Sequence, residues 1–244
     1  MNEKKKDIPI VILHGWGSTM SGEKYETLKQ CLEKYGYSVY TPDLPGFGKN
    51  LLKKEVLEFE DYVNFIHDFI GKTVKAKKVI LIGHSFGGRI AIRLAKEYPK
   101  VIEKLILTGA SGIPQKLSFK KKIVSFLTKI GKPLFVILPF SLAYPFLRKS
   151  LYRSIGEMDY YKAGVLQKTF KNIYHVNITP DLGSISVPTL LIWGEADRFT
   201  PLADGKLMYK SIPNAHFVSI PNASHKLPYE QPDIFAKAIM PFIL

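Results

Sequence analysis

Short apolar runs rich in β-branched residues alternate along this chain with longer stretches in which apolar residues recur every three or four positions. A short run bounded by turn residues predicts a buried strand, whereas the longer spacing predicts a helix that packs on one face. The predicted strands are residues 10–13, 38–41, 79–82, 105–108, 189–193 and 217–220, and the predicted helices are residues 24–35, 59–73, 89–98 and 232–242. This alternation predicts an α/β fold, with a mostly parallel sheet covered by helices on both faces.

The alternation breaks between residues 112 and 186, where the sequence indicates amphipathic helices interrupted by prolines and no convincing strand. We therefore expect one core domain, formed by residues 1–112 together with residues 187–244. Residues 113–186 are expected to be inserted into that domain as a helical cap, or lid.

The apolar segment 123–147 of the predicted cap has the length of a membrane-spanning helix. It contains Lys129, Lys132 and three prolines, so we expect no membrane span. The segment carries more apolar surface than a small cap can bury internally. We therefore expect part of it to face the core domain and to bind the apolar acyl chain of a small-molecule substrate.

The composition is that of a folded protein, with 46% hydrophobic residues and a formal net charge of +14 over 244 residues. A clustered excess of positive charge favours nucleic acid or anionic membranes. Here the lysines are spread along the chain and no nucleic-acid-binding motif accompanies them. We therefore expect no nucleic-acid partner, while association with a membrane surface stays open. The single cysteine, Cys31, cannot form an internal disulfide, which fits a cytoplasmic protein.

The strongest chemical signal is the pentapeptide Gly-His-Ser-Phe-Gly from Gly83 to Gly87, which lies between a predicted strand and a predicted helix. In that position Gly-x-Ser-x-Gly forms a nucleophile elbow, a strained turn that exposes the serine hydroxyl at the start of the helix. The alternative is a glycine-rich turn that holds an inert serine. The flanking strand and helix favour the elbow, so we predict that Ser85 is a nucleophile.

A serine hydroxyl is a weak nucleophile at neutral pH and needs a nearby base, which a third group holds in the correct tautomer. After such an elbow the acid and the histidine follow in that order, each on a loop after a late strand. Asp197 follows strand 189–193 and His225 follows strand 217–220, so we predict that they are the acid and the base. Glu195, in the same turn, is the alternative acid. The remaining histidines that we considered are less well placed, namely His67, His84, His175 and His216.

Acyl transfer also requires two backbone N–H groups that stabilise the oxyanion of the tetrahedral intermediate. One is expected from Phe86, the residue after the nucleophile, and the other from the loop after an early strand. The loop His14-Gly15-Trp16-Gly17 follows strand 10–13 directly. The N–H of Trp16 is therefore the second candidate, whether or not its side chain also closes the loop.

Five segments that span nearly the whole chain apart from the predicted cap together resemble the α/β-hydrolase superfamily. They are His14-Gly15-Trp16-Gly17, Asp43-Leu44-Pro45-Gly46-Phe47-Gly48, Gly83-His84-Ser85-Phe86-Gly87-Gly88, Gly194-Glu195-Ala196-Asp197 and Ser224-His225. The resemblance implies an eight-stranded sheet with a helical lid inserted after the sixth strand. It implies no cofactor and no metal ion.

The superfamily includes carboxylesterases, lipases, carbon–carbon bond hydrolases, epoxide hydrolases and dehalogenases, and a serine nucleophile argues against the last two. We expect hydrolysis of an ester or a similar acyl compound through an acyl-enzyme. The alternative is carbon–carbon cleavage or lyase chemistry, because the elbow with Gly88 and Arg89 is also similar to that of a lyase of menaquinone synthesis. Cap arginines such as Arg148 and Arg153 would then bind the carboxylates of its substrate. A third alternative is a non-catalytic binding or membrane-surface protein on the same scaffold.

Overall fold

A single parallel sheet forms the centre of the protein. The computed structural model of the chain describes residues 8–17, 19–52, 54–114 and 163–244. Within these ranges six strands pair in the order β2-β1-β3-β4-β5-β6, so the strand order reverses between β1 and β3. The strands are β1 (Ile10–Leu13), β2 (Val39–Tyr40), β3 (Val79–His84), β4 (Ile102–Thr108), β5 (Thr189–Gly194) and β6 (Ala215–Ile220).

Helices cover both faces of the sheet. One face packs against α1 (Glu26–Glu33) and α8 (Pro232–Ile243), and the other packs against α2 (Phe59–Phe69), α3 (Phe86–Glu97) and α6 (Leu202–Ser211). Successive side chains of a strand point to opposite faces, so β1 contributes alternate residues to the two cores. The shorter helices are α4 (Gln167–Tyr174), α5 (Thr179–Leu182) and α7 (Leu227–Glu230).

The predicted α/β fold is confirmed, and each predicted strand is present: β1 has the predicted boundaries and the other five differ from them. The largest change is at β4, which begins at Ile102. Glu103 and Lys104 interrupt the apolar run there, but their side chains reach outwards. Glu103 pairs with Lys78 at 2.8 Å, and the Lys104 ammonium donates to the carbonyl of Phe242 at 2.8 Å. The resemblance implied eight strands, and the described residues contain six.

The predicted helices are also present, but their ends differ. The predicted helix 24–35 is a 3-10 turn, Gly22–Tyr25, followed by α1. The predicted helix 59–73 is α2 followed by a π-helical turn, Ile70–Val74, where the chain leaves the helix in a left-handed conformation. The third predicted helix begins earlier than expected, because α3 starts at Phe86, directly after the predicted nucleophile.

The end of the predicted cap packs on the core domain. Residues 163–186 form a 3-10 turn, Gly164–Leu166, then α4 and α5, and the structure shows no strand in this range. The carboxylate of Asp181 on α5 pairs with Arg93 at 2.8 Å and with Lys96 at 2.6 Å, which ties α5 to α3. The boundaries of the cap stay a prediction, because most of it lies outside the described residues, including segment 123–147, Arg148 and Arg153. Among the helices that the structure does describe, none is long and apolar enough to cross a membrane.

Candidate active site

Ser85 lies in a sharp turn between the end of β3 and the start of α3. Its φ of 54° and ψ of −114° put it in a region that residues other than glycine rarely adopt. Backbone hydrogen bonds hold this conformation. The N–H of Ser85 donates to the carbonyl of Thr108 at 3.1 Å, and its carbonyl accepts from the N–H groups of Arg89 and Ser111 at 3.2 and 3.0 Å. The turn therefore has the backbone strain of a nucleophile elbow.

The glycines of this turn allow backbone segments to approach closely. A Cβ on Gly87 would lie 2.4 Å from the carbonyl oxygen of Leu13, and a Cβ on Gly83 would lie 2.6 Å from the Cα of Gly88. No side chain fits at such distances. The N–H of Gly87 donates to the carbonyl of His14 at 3.0 Å, so the start of α3 is joined to the loop that follows β1.

His225 and Asp197 come together on the loops after β6 and β5. Nδ1 of His225 lies 2.8 Å from Oδ2 of Asp197. The same carboxylate accepts the N–H of Phe199 at 2.8 Å, and it accepts the N–H and hydroxyl of Thr200 at 2.9 and 2.8 Å. The carboxylate is thus held by four donors and can orient the imidazole ring.

The electrostatics keep this carboxylate ionised. Burial alone raises the pKa of Asp197, but the hydrogen bond and charge of His225, together with the Thr200 donors, outweigh burial and hold the pKa below its ordinary value. The ring N–H of Trp193 donates to the carbonyl of Thr200 at 2.8 Å, which fixes the turn from the core side. Asp197 can therefore accept the hydrogen bond from Nδ1 of His225 as an ionised carboxylate.

Gly109 makes room for the His225–Asp197 pair at the end of β4, the strand between β3 and β5. A Cβ there would lie 2.9 Å from Nδ1 of His225 and 3.2 Å from Oδ2 of Asp197, and the φ of Gly109 is +50°. Sequence reasoning missed both Gly109 and Thr200. The signal for Thr200 was its position shortly after an aspartate in a turn, because an aspartate there commonly binds the backbone that follows it.

The competing candidates lie elsewhere. Glu195, the alternative acid, accepts a hydrogen bond from the hydroxyl of Ser219 at 2.9 Å and is exposed. His67 stacks on Tyr98 with ring centroids 4.0 Å apart, and His216 and His175 are exposed. The side-chain partners shown for Glu195, His67 and His216 are Ser219, Tyr98 and Phe242.

His84 is buried directly behind the elbow and is unsuited to be a base. Its Nε2 lies 2.8 Å from the backbone carbonyl of His225, and its Nδ1 lies 2.6 Å from the hydroxyl of Tyr25. Burial, and then the charge of His225, lower the pKa of His84 to about 3, although the hydrogen bond to that carbonyl and the charge of Asp197 oppose the shift. The ring is therefore neutral and both nitrogens are engaged.

Trp16 and Phe86, the two predicted oxyanion donors, lie side by side. Their rings meet edge to face with centroids 5.5 Å apart. Phe86 is the first residue of α3, and an N–H at that position has no partner within a helix. Gly15, next to Trp16, lies against Ser85, since a Cβ on it would be 3.0 Å from the Cβ of Ser85. Phe47 and Phe170 also contact the ring of Trp16, so this side of the site is aromatic.

These residues lie at the carboxyl ends of the strands, and the loops that carry Trp16 and Ser85 flank the point between β1 and β3 where the strand order reverses. Ligands of open α/β sheets bind in the crevice at such a point. In the part of the chain that the structure describes, no group of three or more His, Cys, Asp or Glu side chains is arranged to hold a metal ion.

The sequence matches the model of a known protein family. The model of the family described as "Serine aminopeptidase, S33" matches residues 4–232. The chain belongs to this family. This S33 hydrolase is thereby a member of the α/β-hydrolase superfamily, as the sequence motifs indicated.

Two relatives of the chain are hydrolases named for 2-hydroxy-6-oxo acids. The chain is 28% identical to a 2-hydroxy-6-oxononadienedioate/2-hydroxy-6-oxononatrienedioate hydrolase of Comamonas testosteroni, with 100% of this chain and 90% of the relative covered. It is 27% identical to a 2-hydroxy-6-oxo-6-phenylhexa-2,4-dienoate hydrolase of Burkholderia cepacia, with the same coverage. Among solved structures, a thermophilic esterase from Thermogutta terrifontis has a TM-score of 0.71 at 22% identity, covering 98% of this chain and 90% of that one. At that identity the esterase shows the fold alone.

Proposed function

We propose that the protein is a serine hydrolase that cleaves an ester or similar acyl substrate through an acyl-enzyme. The observation that carries the proposal is the strained Ser85 at the start of α3, beside the histidine loop whose His225 is bound to Asp197 at 2.8 Å. An idle serine would have no reason to occupy a conformation that costs of order 1–3 kcal/mol.

Each group then has one role in the reaction. Asp197 accepts the Nδ1–H of His225, which leaves the lone pair of Nε2 to take the proton of the Ser85 hydroxyl as its oxygen attacks the substrate carbonyl. The N–H groups of Trp16 and Phe86 stabilise the oxyanion. The imidazolium returns the proton to the leaving group, and His225 then activates a water molecule that releases the acyl group.

The experiment that tests this proposal is covalent labelling with a fluorophosphonate. Intact-mass measurement should show a single adduct on the wild-type protein and none on Ser85→Ala. Ser211→Ala is the matched control, because Ser211 is a partly exposed serine at the end of α6 whose hydroxyl donates to the carbonyl of Leu207 at 2.9 Å. It should label like the wild type, whereas labelling that survives in Ser85→Ala would contradict the proposal.

The site supports an apolar acyl group as substrate. Aromatic rings contact Trp16 on one side of the site. On the other side, the ring centroid of Phe199 lies 5.2 Å from that of His225, and Phe199 is 71% exposed. Each buried methylene of a substrate contributes up to about 0.8 kcal/mol. We therefore expect kcat/KM to rise several-fold from p-nitrophenyl acetate through butyrate and hexanoate to octanoate, until the pocket is filled. Phe199→Ala should flatten the series and leave the acetate rate nearly unchanged, and a flat series in the wild type would contradict an apolar pocket.

Carbon–carbon bond hydrolysis is the second candidate, and the relatives favour it, because two of them are named for 2-hydroxy-6-oxo-dienoate substrates. Such substrates carry carboxylates. Beside the elbow, Arg89 is buried, and its guanidinium donates to the carbonyl of Ile173 at 2.5 Å and to the hydroxyl of Ser111 at 3.2 Å. Because this cation is bound by the protein, we favour the uncharged acyl substrate. Faster turnover of a 2-hydroxy-6-oxo-dienoate than of any p-nitrophenyl ester would reverse that order.

A further inference from the structure

We propose that Tyr25 and His84 form a positioning relay, a chain of hydrogen bonds that holds the histidine loop in register with the nucleophile elbow. The relay joins segments that are far apart in the sequence, since Tyr25 precedes α1 and His84 ends β3. The inference rests on the proposed function, because the position of the histidine loop matters for chemistry only if His225 is the base.

The direction of each hydrogen bond follows from the groups that make it. The backbone carbonyl of His225 can only accept, so Nε2 of His84 must carry the proton and donate across 2.8 Å. The ring is neutral, which leaves Nδ1 as an acceptor. The hydroxyl of Tyr25 therefore donates to Nδ1 across 2.6 Å. A single tautomer of His84 satisfies both contacts.

The relay lies against the loop of the predicted oxyanion hole. Burial, with a smaller contribution from Tyr229, raises the pKa of Tyr25 well above its ordinary value, and a backbone hydrogen bond from Gly15 acts in the opposite direction. The hydroxyl therefore keeps its proton and donates it to His84. Gly15 also lies against this imidazole, since a Cβ on it would be 3.3 Å from Nδ1 of His84.

The relay acts on His225 from a different side than Asp197 does. Asp197 holds the ring through Nδ1, whereas His84 holds the backbone carbonyl of the same residue. Because His84 is covalently bonded to Ser85, the base is anchored to the immediate neighbour of the nucleophile. A misplacement of about 1 Å in such a site can cost about 100-fold in rate. Fixing both the ring and the backbone of His225 limits such a displacement.

The first experiment compares two buried tyrosine hydroxyls. Tyr25→Phe removes the relay donor and leaves the ring. Tyr37→Phe is the matched control, because Tyr37 is also buried and its hydroxyl donates to a backbone carbonyl, that of Ile243, at 3.0 Å. We expect Tyr25→Phe to lower kcat about 3- to 10-fold with KM within twofold, as for one lost hydrogen bond. Tyr37→Phe should leave kcat and KM unchanged at a similar loss of Tm.

The second experiment tests whether the two residues act together. His84→Leu should lower kcat by up to about 100-fold, and His84→Gln, whose amide can both donate and accept, should recover part of the loss. The double variant Tyr25→Phe/His84→Leu should be no slower than His84→Leu alone, because both changes break one chain. Multiplicative losses in the double variant would overturn the relay, as would equal kcat in Tyr25→Phe and Tyr37→Phe.

A third measurement does not depend on activity. The imidazole ¹⁵N signals of His84 in the wild-type protein should be those of a neutral ring protonated at Nε2 and should not titrate between pH 5 and 9. Protonation at Nδ1, or titration in that range, would overturn the relay even in an active enzyme. The proposed function fails separately, if the wild-type protein forms no fluorophosphonate adduct.

Discussion

Replacing Asp197 by asparagine gives the sharpest test of the acid in this site. One carboxylate oxygen accepts the backbone N–H groups of Phe199 and Thr200, so in the variant the amide oxygen should stay on these two donors. The amide nitrogen is then placed at the position of Oδ2, 2.8 Å from Nδ1 of His225. Its N–H can only donate to that nitrogen, which forces His225 into the tautomer protonated at Nε2.

A histidine protonated at Nε2 cannot take the proton of Ser85. We therefore expect Asp197→Asn to lower kcat/KM by about 10⁴-fold, the loss that the equivalent change causes in a serine protease. That loss corresponds to about 5.5 kcal/mol of transition-state stabilisation. Because two of the four hydrogen bonds to the side chain are kept, the variant should fold with a Tm close to that of the wild type.

The assay is hydrolysis of p-nitrophenyl butyrate, with thermal unfolding measured on the same samples. Glu195→Gln is the matched control, because Glu195 lies in the same turn but accepts its hydrogen bond from Ser219. Its kcat/KM should change less than about threefold, as expected of a surface position away from the chemistry. An Asp197→Asn enzyme within tenfold of the wild type, or a larger loss in Glu195→Gln, would refute the reasoning.

Three further substitutions test residues outside the proposed catalytic groups. Gly109→Ala and Gly164→Ala both place a side chain at a φ near +50°, so each should lose about 1–2 kcal/mol of stability. Only Gly109→Ala should also lose activity, because its Cβ would lie 2.9 Å from Nδ1 of His225, whereas a Cβ at Gly164 meets nothing within 4 Å. Equal kcat/KM in the two variants would contradict this expectation. Asp181→Asn should cost about 2–3 kcal/mol, less than the roughly 3–5 kcal/mol of a fully buried pair, because both cationic partners of Asp181 are partly exposed.

The loss in Asp181→Asn should depend on pH. Burial alone raises the pKa of Asp181, but its ion pairs with Lys96 and Arg93 outweigh burial and hold the pKa below the ordinary value. The stabilisation is therefore complete above the unfolded-state pKa of about 3.9 and is lost as the pH falls through the lower folded-state value. Urea unfolding at pH 7 and at successively lower pH should show the difference from the wild type shrinking below about pH 4. A constant difference would contradict the assignment.

The hydrophobic pattern predicted the fold because a covered parallel sheet requires continuous apolar strands and one-sided helices. The same pattern predicted that Ser85, Asp197 and His225 follow the ends of strands. In the structure Asp197 and His225 are in contact. The pattern did not predict the start of β4 at Ile102, since charged side chains at the end of a strand can extend past the sheet to partners on other elements.

Contacts between distant segments were beyond a local pattern. Tyr25 and His84 are 59 positions apart, and His84 and His225 are 141 positions apart, yet each pair forms a hydrogen bond. Gly109 was missed for a similar reason, because the need for a small residue there arises from a ring on the loop after β6. Periodicity reports which face of an element is buried, but not which side chain from another element lies against it.

The backbone of Ser85 also has an evolutionary consequence. Its left-handed φ of 54° is one that glycine adopts at no steric cost, so at this position the fold alone would favour glycine. The free energy of unfolding of a protein is only about 5–15 kcal/mol. A residue whose strained backbone costs about 1–3 kcal/mol therefore persists only where natural selection maintains its hydroxyl for function. A descendant that kept the scaffold merely to bind a ligand would drift towards glycine here. The serine at this strained position therefore argues for an active enzyme rather than for a protein that has lost its catalytic activity.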